Sequence, residues 1–256
     1  MSTPFVVAQL SDPHIGATWG VGDPEALLAR AVSAVKAIRP APDAVLVSGD
    51  LSDNGTAAEY ATVKGLLERL GAPVHVLPGN HDDRAALRAA FELPGSGAEP
   101  LHHVVDLGPL RLVCLDSTIP GEDGGSLDGE RLAWLDATLA QAPVQPTIVA
   151  LHHAPLLTGV PEADAIGLPD PDREAFGEIL ARHAQVRCVA AGHAHWAMVG
   201  SLGDRRVLVA PSTYVQARLD LVSDTVELAN QPAGFLVHAL LDGELVSYSQ
   251  AVMDGA

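Results

Sequence analysis

The sequence is short of cysteine, of basic residues and of long apolar runs, and each shortage removes a class of protein. Only two cysteines, Cys114 and Cys188, occur in 256 residues, each inside an apolar run where a free thiol behaves as a small hydrophobe. A disulfide-stapled scaffold is excluded; one bridge stays open, although such sparse usage suits a reducing compartment. Lysine and arginine total 15 against 32 acidic residues, a formal net charge of −17. The densest basic cluster is Arg205-Arg206, which is no stripe for extended nucleic acid or an anionic membrane. At the N-terminus no cationic region precedes the apolar run, and that run stops at Gln9, too short for a signal peptide or a membrane span. The expectation is a soluble cytoplasmic protein that binds neither nucleic acid nor membrane.

What is present is a globular composition, 48% hydrophobic, with short apolar runs alternating with helical segments, the pattern of an α/β protein. No repeat and no linker divides it, so residues 1–256 are expected to form one domain. Strands are expected at 5–10, 45–48, 73–77, 147–151 and 186–191. Helices are expected at 24–38, where Asp23 caps and Pro24 opens, from the Thr56–Glu59 capping box to Gly71, and at 84–91, 127–139 and 172–183. A hairpin at 102–115 turning at Gly108-Pro109 breaks the alternation. Residues 154–170 read as a long loop, 211–234 as an uncertain stretch, and 207–210, 235–240 and 244–248 as antiparallel strands.

Six of eleven histidines and several acids fall at the C-terminal ends of expected strands: Asp12 and His14, Asp50, Asn80 and His81, His152 and His153, His193 and His195. Strand ends share one edge of an open sheet, where α/β proteins bind ligands. Imidazole, carboxylate and carboxamide without thiolate suit Mn, Fe, Zn or Co. The i, i+2 spacing of Asp12 with His14 and of His193 with His195 puts both side chains on one face of an extended segment. Two metals about 3.5–4 Å apart need a group with lone pairs for both, which a carboxylate supplies.

The ordered blocks Asp12-x-His14, Gly49-Asp50, Gly79-Asn80-His81-Asp82, His152 and Gly192-His193-x-His195 resemble the signature of the calcineurin-like metallophosphoesterases. Residues 78–84, 151–155 and 191–195 are most similar to class III cyclic nucleotide phosphodiesterases and related glycerophosphodiesterases. The resemblance implies a four-layer αββα sandwich of two mixed sheets flanked by helices, an α/β (α+β) fold whose C-terminal strands, 207–256, complete it. It implies Asp12, His14, Asp50 and His195 at one divalent or trivalent metal and Asp50, Asn80, His152 and His193 at the other. His81 then faces the phosphate without ligating, and His153 and Asp82 support the ligands. A homodimer is implied too, with 211–234 a candidate contact.

Two divalent cations against Asp12 and Asp50 leave a local charge of about +2, or about +1 with a bridging hydroxide, which attracts a phosphodiester despite the negative protein. The expected activity is hydrolysis of small phosphodiesters, 3′,5′-cyclic nucleotides first, by attack of metal-bound hydroxide on phosphorus, with His81 protonating the leaving alkoxide or stabilising charge. Glycerophosphodiesters, a broad phosphomonoesterase and a non-enzymatic, metal-retaining scaffold are the alternatives. His75, His102, His103, His183 and His238 read as core or hydrogen-bonded residues. Asp53 and Asn54 read as turn formers, Asp82 and Asp83 also as caps of the next helix, and Arg84, Arg173 and Arg218 as surface charges.

Overall fold

The computed structural model describes residues 3–253. In chain order it runs β1 (Phe5–Leu10), α1 (Pro24–Ala37), β2 (Ala44–Ser48), α2 (Ala57–Leu67), β3 (Val74–Leu77), α3 (Arg84–Phe91), β4 (His103–Asp106) and β5 (Arg111–Cys114). There follow α4 (Gly129–Ala140), β6 (Thr147–Ala150), α5 (Pro161–Ala165), α6 (Asp170–Arg182), β7 (Val186–Ala191), β8 (Met198–Leu202) and β9 (Arg205–Val209). The chain finishes with β10 (Gln216–Ala217), β11 (Leu228–Ala229), β12 (Gly234–Leu241) and β13 (Glu244–Ala251).

Two mixed sheets result, one ordered β13-β12-β1-β2-β3 and one ordered β4-β5-β6-β7-β9-β8. Side-chain alternation along the strands separates three apolar layers. In β1 and β2, Val6, Ala8, Val45 and Val47 face helices α1 and α2, meeting Leu28, Val32, Tyr60 and Val63. Val7 and Leu46 point the other way and meet Leu112, Ile148 and Leu208 of the second sheet. That sheet's far face, with Val149, Val189 and Val207, packs on Leu135, Leu139 and Phe176 of α4 and α6. Helix, sheet, sheet, helix is the four-layer architecture the resemblance implied.

Local chemistry sets the boundaries. Asp23 accepts a hydrogen bond from the Glu25 N–H and Pro24 opens α1. Thr56 and Glu59 form the full capping box of α2, and Asp83 caps α3 by accepting from Ala86 N. Helix α6 begins at Asp170, two residues earlier than expected, because Pro171 lies in its first turn, where no amide hydrogen is needed. The loop expected over 154–170 contains α5. Strand β8, with small and half-exposed residues, carries no apolar alternation that would have announced it. The uncertain stretch 211–234 holds the two-stranded β10–β11 hairpin. The tail is also not one antiparallel unit: β9 runs parallel to β7 in the second sheet, while β12 and β13 join the first through β1.

Both cysteines are free and buried between the sheets, where burial raises the Cys114 thiol far above its usual value and pushes Cys188 up to about 12. Among the described residues no helix is long and apolar enough to cross a membrane.

Arg84 is not the surface charge expected from the sequence. It is buried, its guanidinium lies 2.7 Å from the Asp116 carboxylate, and it donates to the Thr118 carbonyl. Asp116 in turn accepts from Leu101 N, Thr118 N and Thr118 Oγ1. Removing one partner of such a pair strands the other in a low dielectric. Arg84→Met is expected to cost about 3–5 kcal/mol in urea unfolding; a loss below about 1 kcal/mol would show that solvent reaches Asp116.

His238 lies between the sheets, on the same face of β12 as Leu236 and Leu240, and is fully buried. Its Nε2 faces Gln9 Oε1 at 3.0 Å, and its Nδ1 faces the Ser247 hydroxyl at 2.8 Å. Burial holds its pKa at about 4, below the ordinary 6.5. The folded state refuses a proton that the unfolded state takes, so His238 leaves stability unaffected above 6.5 and lowers it as pH falls from 6.5 toward 4. By the lower limit the cost is about 3 kcal/mol. His238→Gln should flatten the pH dependence of Tm across that interval, and an unchanged slope would refute the assignment.

Candidate metal centre

The strands of both sheets end at one edge, and there the turns are unusually tight. Asp12, His14, Asp50, His193 and His195 all adopt left-handed φ, between 44° and 70°, a region costly for residues with a Cβ. This corrects the reading of Asp12-x-His14 and His193-x-His195 as extended segments. Each pair converges because the chain coils back on itself. Two glycines permit it: a Cβ on Gly79 would lie 2.1 Å from Asp50 Oδ1, and one on Gly49, at φ +99°, would lie 2.3 Å from His152 Nδ1.

Every expected ligand arrives at the same place. Asp12 and His14 follow β1, Asp50 follows β2 and Asn80 follows β3; His152 follows β6, while His193 and His195 follow β7. Asp50 Oδ2 lies 3.4 Å from His14 Nε2 and 3.4 Å from His152 Nε2, so one oxygen faces two imidazoles. On one side His14 Nε2 is 3.2 Å from His195 Nε2, which is 3.8 Å from Asp12 Oδ1. On the other, Asn80 Oδ1 is 3.1 Å from both His152 Nε2 and His193 Nδ1, which are themselves 3.3 Å apart. Atoms bound at about 2.0–2.2 Å around one ion sit about 3.0–3.5 Å from one another, so the spacing fits two adjoining ions.

The far nitrogen of each imidazole settles where its proton lies. His152 Nδ1 meets the Ser48 carbonyl at 2.8 Å, His195 Nδ1 the Val215 carbonyl at 2.7 Å and His193 Nε2 the Ile166 carbonyl at 3.0 Å. A carbonyl only accepts, so these ring nitrogens carry hydrogen, and the opposite ones carry a lone pair whenever the ring is neutral. His14 Nδ1 likewise meets Asp53 Oδ1 at 3.2 Å. The opposite nitrogens meet in two pairs, His14 Nε2 with His195 Nε2 at 3.2 Å and His152 Nε2 with His193 Nδ1 at 3.3 Å, and each pair needs a proton or a cation between its two nitrogens. The residues present fit a pair of metal ions.

Electrostatics follow the same division. Burial, reinforced by neighbouring imidazoles, keeps His193 well below the ordinary histidine range and His195 at about 4. His14 is also held low by burial, against the pull of Asp50. Burial disfavours charge on His152 as well, yet Asp50 and Asp12 outweigh it and raise this group to about 9. A metal binding there must displace a proton. Burial and Asp50 raise Asp12; burial opposes ionisation of Asp50, but charges on His152 and His14 bring it well below the usual carboxylate range.

His81 stands apart. Its backbone N–H donates to Asp50 Oδ1 at 3.0 Å, turning the other carboxylate oxygen toward the imidazoles. Its ring Nδ1 donates to the Asp53 carbonyl at 3.2 Å, and the side chain is about one-third exposed at the cavity. Burial lowers its pKa, but Asp50 and Asp53 raise it further than burial lowers it. Asp82 accepts from the amides of Leu51, Ser52 and Gly79 and from the Tyr60 hydroxyl, binding the turn after β2 to the turn after β3. His153 accepts from the Ser117 hydroxyl and donates to the Asp123 carbonyl, anchoring the 116–125 loop. Neither of its nitrogens is left for an ion.

Sequence reasoning missed Asp53 and Trp19. Asp53 is no mere turn former: it accepts from Trp19 Nε1 at 2.9 Å while orienting His14. A second acid three residues after Asp50 was the available signal. Trp19 lies in a loop without pattern, and nothing in its spacing pointed to the site.

The calcineurin-like phosphoesterase family model matches residues 5–197, and the chain belongs to that family. It is 35% identical over 82% of its length to a 3′,5′-cyclic adenosine monophosphate phosphodiesterase of Pseudomonas aeruginosa, covering 77% of that protein. It is 29% identical over 97% of its length to a glycerophosphodiester phosphodiesterase of Enterobacter lignolyticus, covering 91% of it. In fold it is similar to a purple acid phosphatase of yellow lupin, at TM-score 0.71 and 15% identity, over all of this chain and 53% of that one.

Proposed function

We propose that this protein is a two-metal hydrolase of small phosphodiesters, with 3′,5′-cyclic nucleotides its first substrates and glycerophosphodiesters its second. The observation that carries the reading is the position of Asp50 Oδ2 between two donor groups, 3.4 Å from His14 Nε2, which is paired with His195, and 3.4 Å from His152 Nε2, which is paired with His193. Asp12, His14, Asp50 and His195 would hold one ion and Asp50, Asn80, His152 and His193 the other, with Mn, Fe, Zn or Co suited to these donors. Such ions, when bound, supply Lewis acidity toward phosphoryl oxygens and an acidic water as nucleophile.

The chain's own groups do the rest. The tautomer locks on His14, His152, His193 and His195 keep the donors in place with little reorganisation. Asp50 gives Oδ2 to the centre because the His81 N–H occupies Oδ1. His81, favoured in its charged form, donates a hydrogen bond to the phosphoryl group or a proton to the leaving alkoxide. The adjoining cavity of about 530 Å³ has no arginine or lysine among its lining residues, which favours a diester monoanion over a monoester dianion.

The test is turnover of cyclic nucleotides, glycerophosphodiesters, bis(p-nitrophenyl) phosphate and p-nitrophenyl phosphate by the protein loaded with Mn²⁺. Diester cleavage at least about tenfold faster than monoester cleavage is expected. Exclusive monoester cleavage would overturn the diester assignment.

A further inference from the structure

The cavity above the metal centre has an outer wall that the metal chemistry does not use. It is built from two segments, 154–168 and 217–228. They are clasped: Glu162 N donates to the Asp224 carbonyl at 3.1 Å, and Val226 N donates to Glu162 Oε2 at 2.5 Å. Asp164 fixes the first segment from within, accepting from Thr158 N, Thr158 Oγ1 and Gly159 N. The wall is tied to the centre through the Ile166 carbonyl that accepts from His193. It therefore stands in a fixed place relative to any phosphoryl group on the metals.

Its chemistry is one-sided. Trp19, Leu156, Ile166, Leu168, Val226 and Leu228 give the cavity an apolar surface, and away from Asp50 and the histidines of the floor the charged side chains that line it are Asp123, Glu162 and Asp164, all acidic. The metal floor provides positive charge for one phosphoryl group only. A second anionic group on the substrate would meet carboxylates and hydrocarbon, because Arg218 of the same segment is paired with Glu227 at 3.3 Å and is not among the residues lining the cavity.

We propose that this wall selects substrate by charge: it admits phosphodiesters whose two alcohol arms are uncharged and rejects those in which an arm carries a further phosphate. The proposal rests on the phosphodiesterase reading of the centre and adds a discrimination that the metal ligands alone would not make. Short oligonucleotides bearing terminal phosphates are excluded by the same rule, independently of any long-range repulsion from the protein's net charge of −17.

The experiment uses the Mn²⁺-loaded full chain and two chromogenic substrates with the same scissile bond. They are thymidine 5′-(p-nitrophenyl phosphate) and its 3′-phosphorylated counterpart. The 3′-phosphate is expected to lower kcat/KM at least about tenfold, chiefly through KM, with a penalty that shrinks as ionic strength rises. Leu228→Lys places a cation on the wall at a half-exposed position, 46% accessible; the ratio of the two kcat/KM values should fall toward one, whatever happens to either alone. Leu228→Met, which keeps the apolar surface, should leave that ratio as it was. Equal kcat/KM for the two substrates would overturn selection by charge while leaving the hydrolase reading intact. A ratio unmoved by Leu228→Lys would overturn the assignment of the penalty to this wall. No turnover of either substrate with two metals bound would overturn the hydrolase reading, and this proposal with it.

Discussion

Asp50→Asn is expected to lower turnover of bis(p-nitrophenyl) phosphate by at least about 10³-fold and to drop the bound metal from two ions per chain to one or none. The substitution keeps the shape of the side chain, but an amide offers one acceptor oxygen where the carboxylate offers two. With Oδ1 engaged by the His81 N–H, the single remaining oxygen is the one that lies between the two donor groups, 3.4 Å from His14 Nε2 and 3.4 Å from His152 Nε2. An asparagine cannot face the His81 amide and the ions together with an oxygen. The fold should persist, because the β2 core residues Val45 and Val47 are untouched. Elemental analysis and circular dichroism on the same sample make the check. Near-normal turnover with two metals retained would refute the shared-oxygen role.

His81→Ala should keep both metals and lose about 10²–10⁴-fold in turnover, the range a positioned proton donor supplies. The loss should depend on the leaving group. An alkoxide from a nucleoside or glycerol arm needs a proton as it departs, whereas p-nitrophenolate does not. The ratio of wild-type to variant rates should therefore be largest for the alkyl diester. At the aryl diester it should be smallest. Equal losses for both would show that His81 stabilises charge on phosphorus rather than protonating the leaving oxygen. Metal content must be measured alongside, since the His81 backbone amide also orients Asp50, and alanine preserves that amide.

The convergence of Asp12, His14, Asp50, Asn80, His152, His193 and His195 could be read in the sequence because each follows a strand, and strand ends share an edge by topology alone. Helices α1 and α2 were equally plain, since their signals are local: Asp23 with Pro24, and Thr56 with Glu59. What stayed hidden depended on contacts made across the fold. Asp53 looks like any turn aspartate until Trp19 and His14 reach it from a loop more than thirty positions earlier in the chain. Arg84 looks like an exposed helix residue until Asp116 is placed against it. The i, i+2 pairs pointed to chelation for the wrong geometric reason: Asp and His tolerate left-handed φ better than most residues, but that preference is too weak to announce it at Asp12, His14, His193 and His195. Strand β8 escaped notice because it is an edge strand of partly or fully exposed residues, and the β10–β11 hairpin because two residues per strand are too few for apolar periodicity.

Each nest of donors draws on both sheets: His195 from the second sheet joins Asp12 and His14 of the first, and Asn80 of the first joins His152 and His193 of the second. The layer between the sheets is largely aliphatic, with few directional bonds across it, such as Gln9 Nε2 to the Ala191 carbonyl. With an ion in each nest, the edge becomes a rivet through two plates. Any shear between the sheets would have to stretch metal–ligand bonds at two points at once, which also blocks rotation about either. This edge is thus where the sandwich would gain most rigidity on metal loading, and chelation would then release a relative motion of its two halves before it unravels either one.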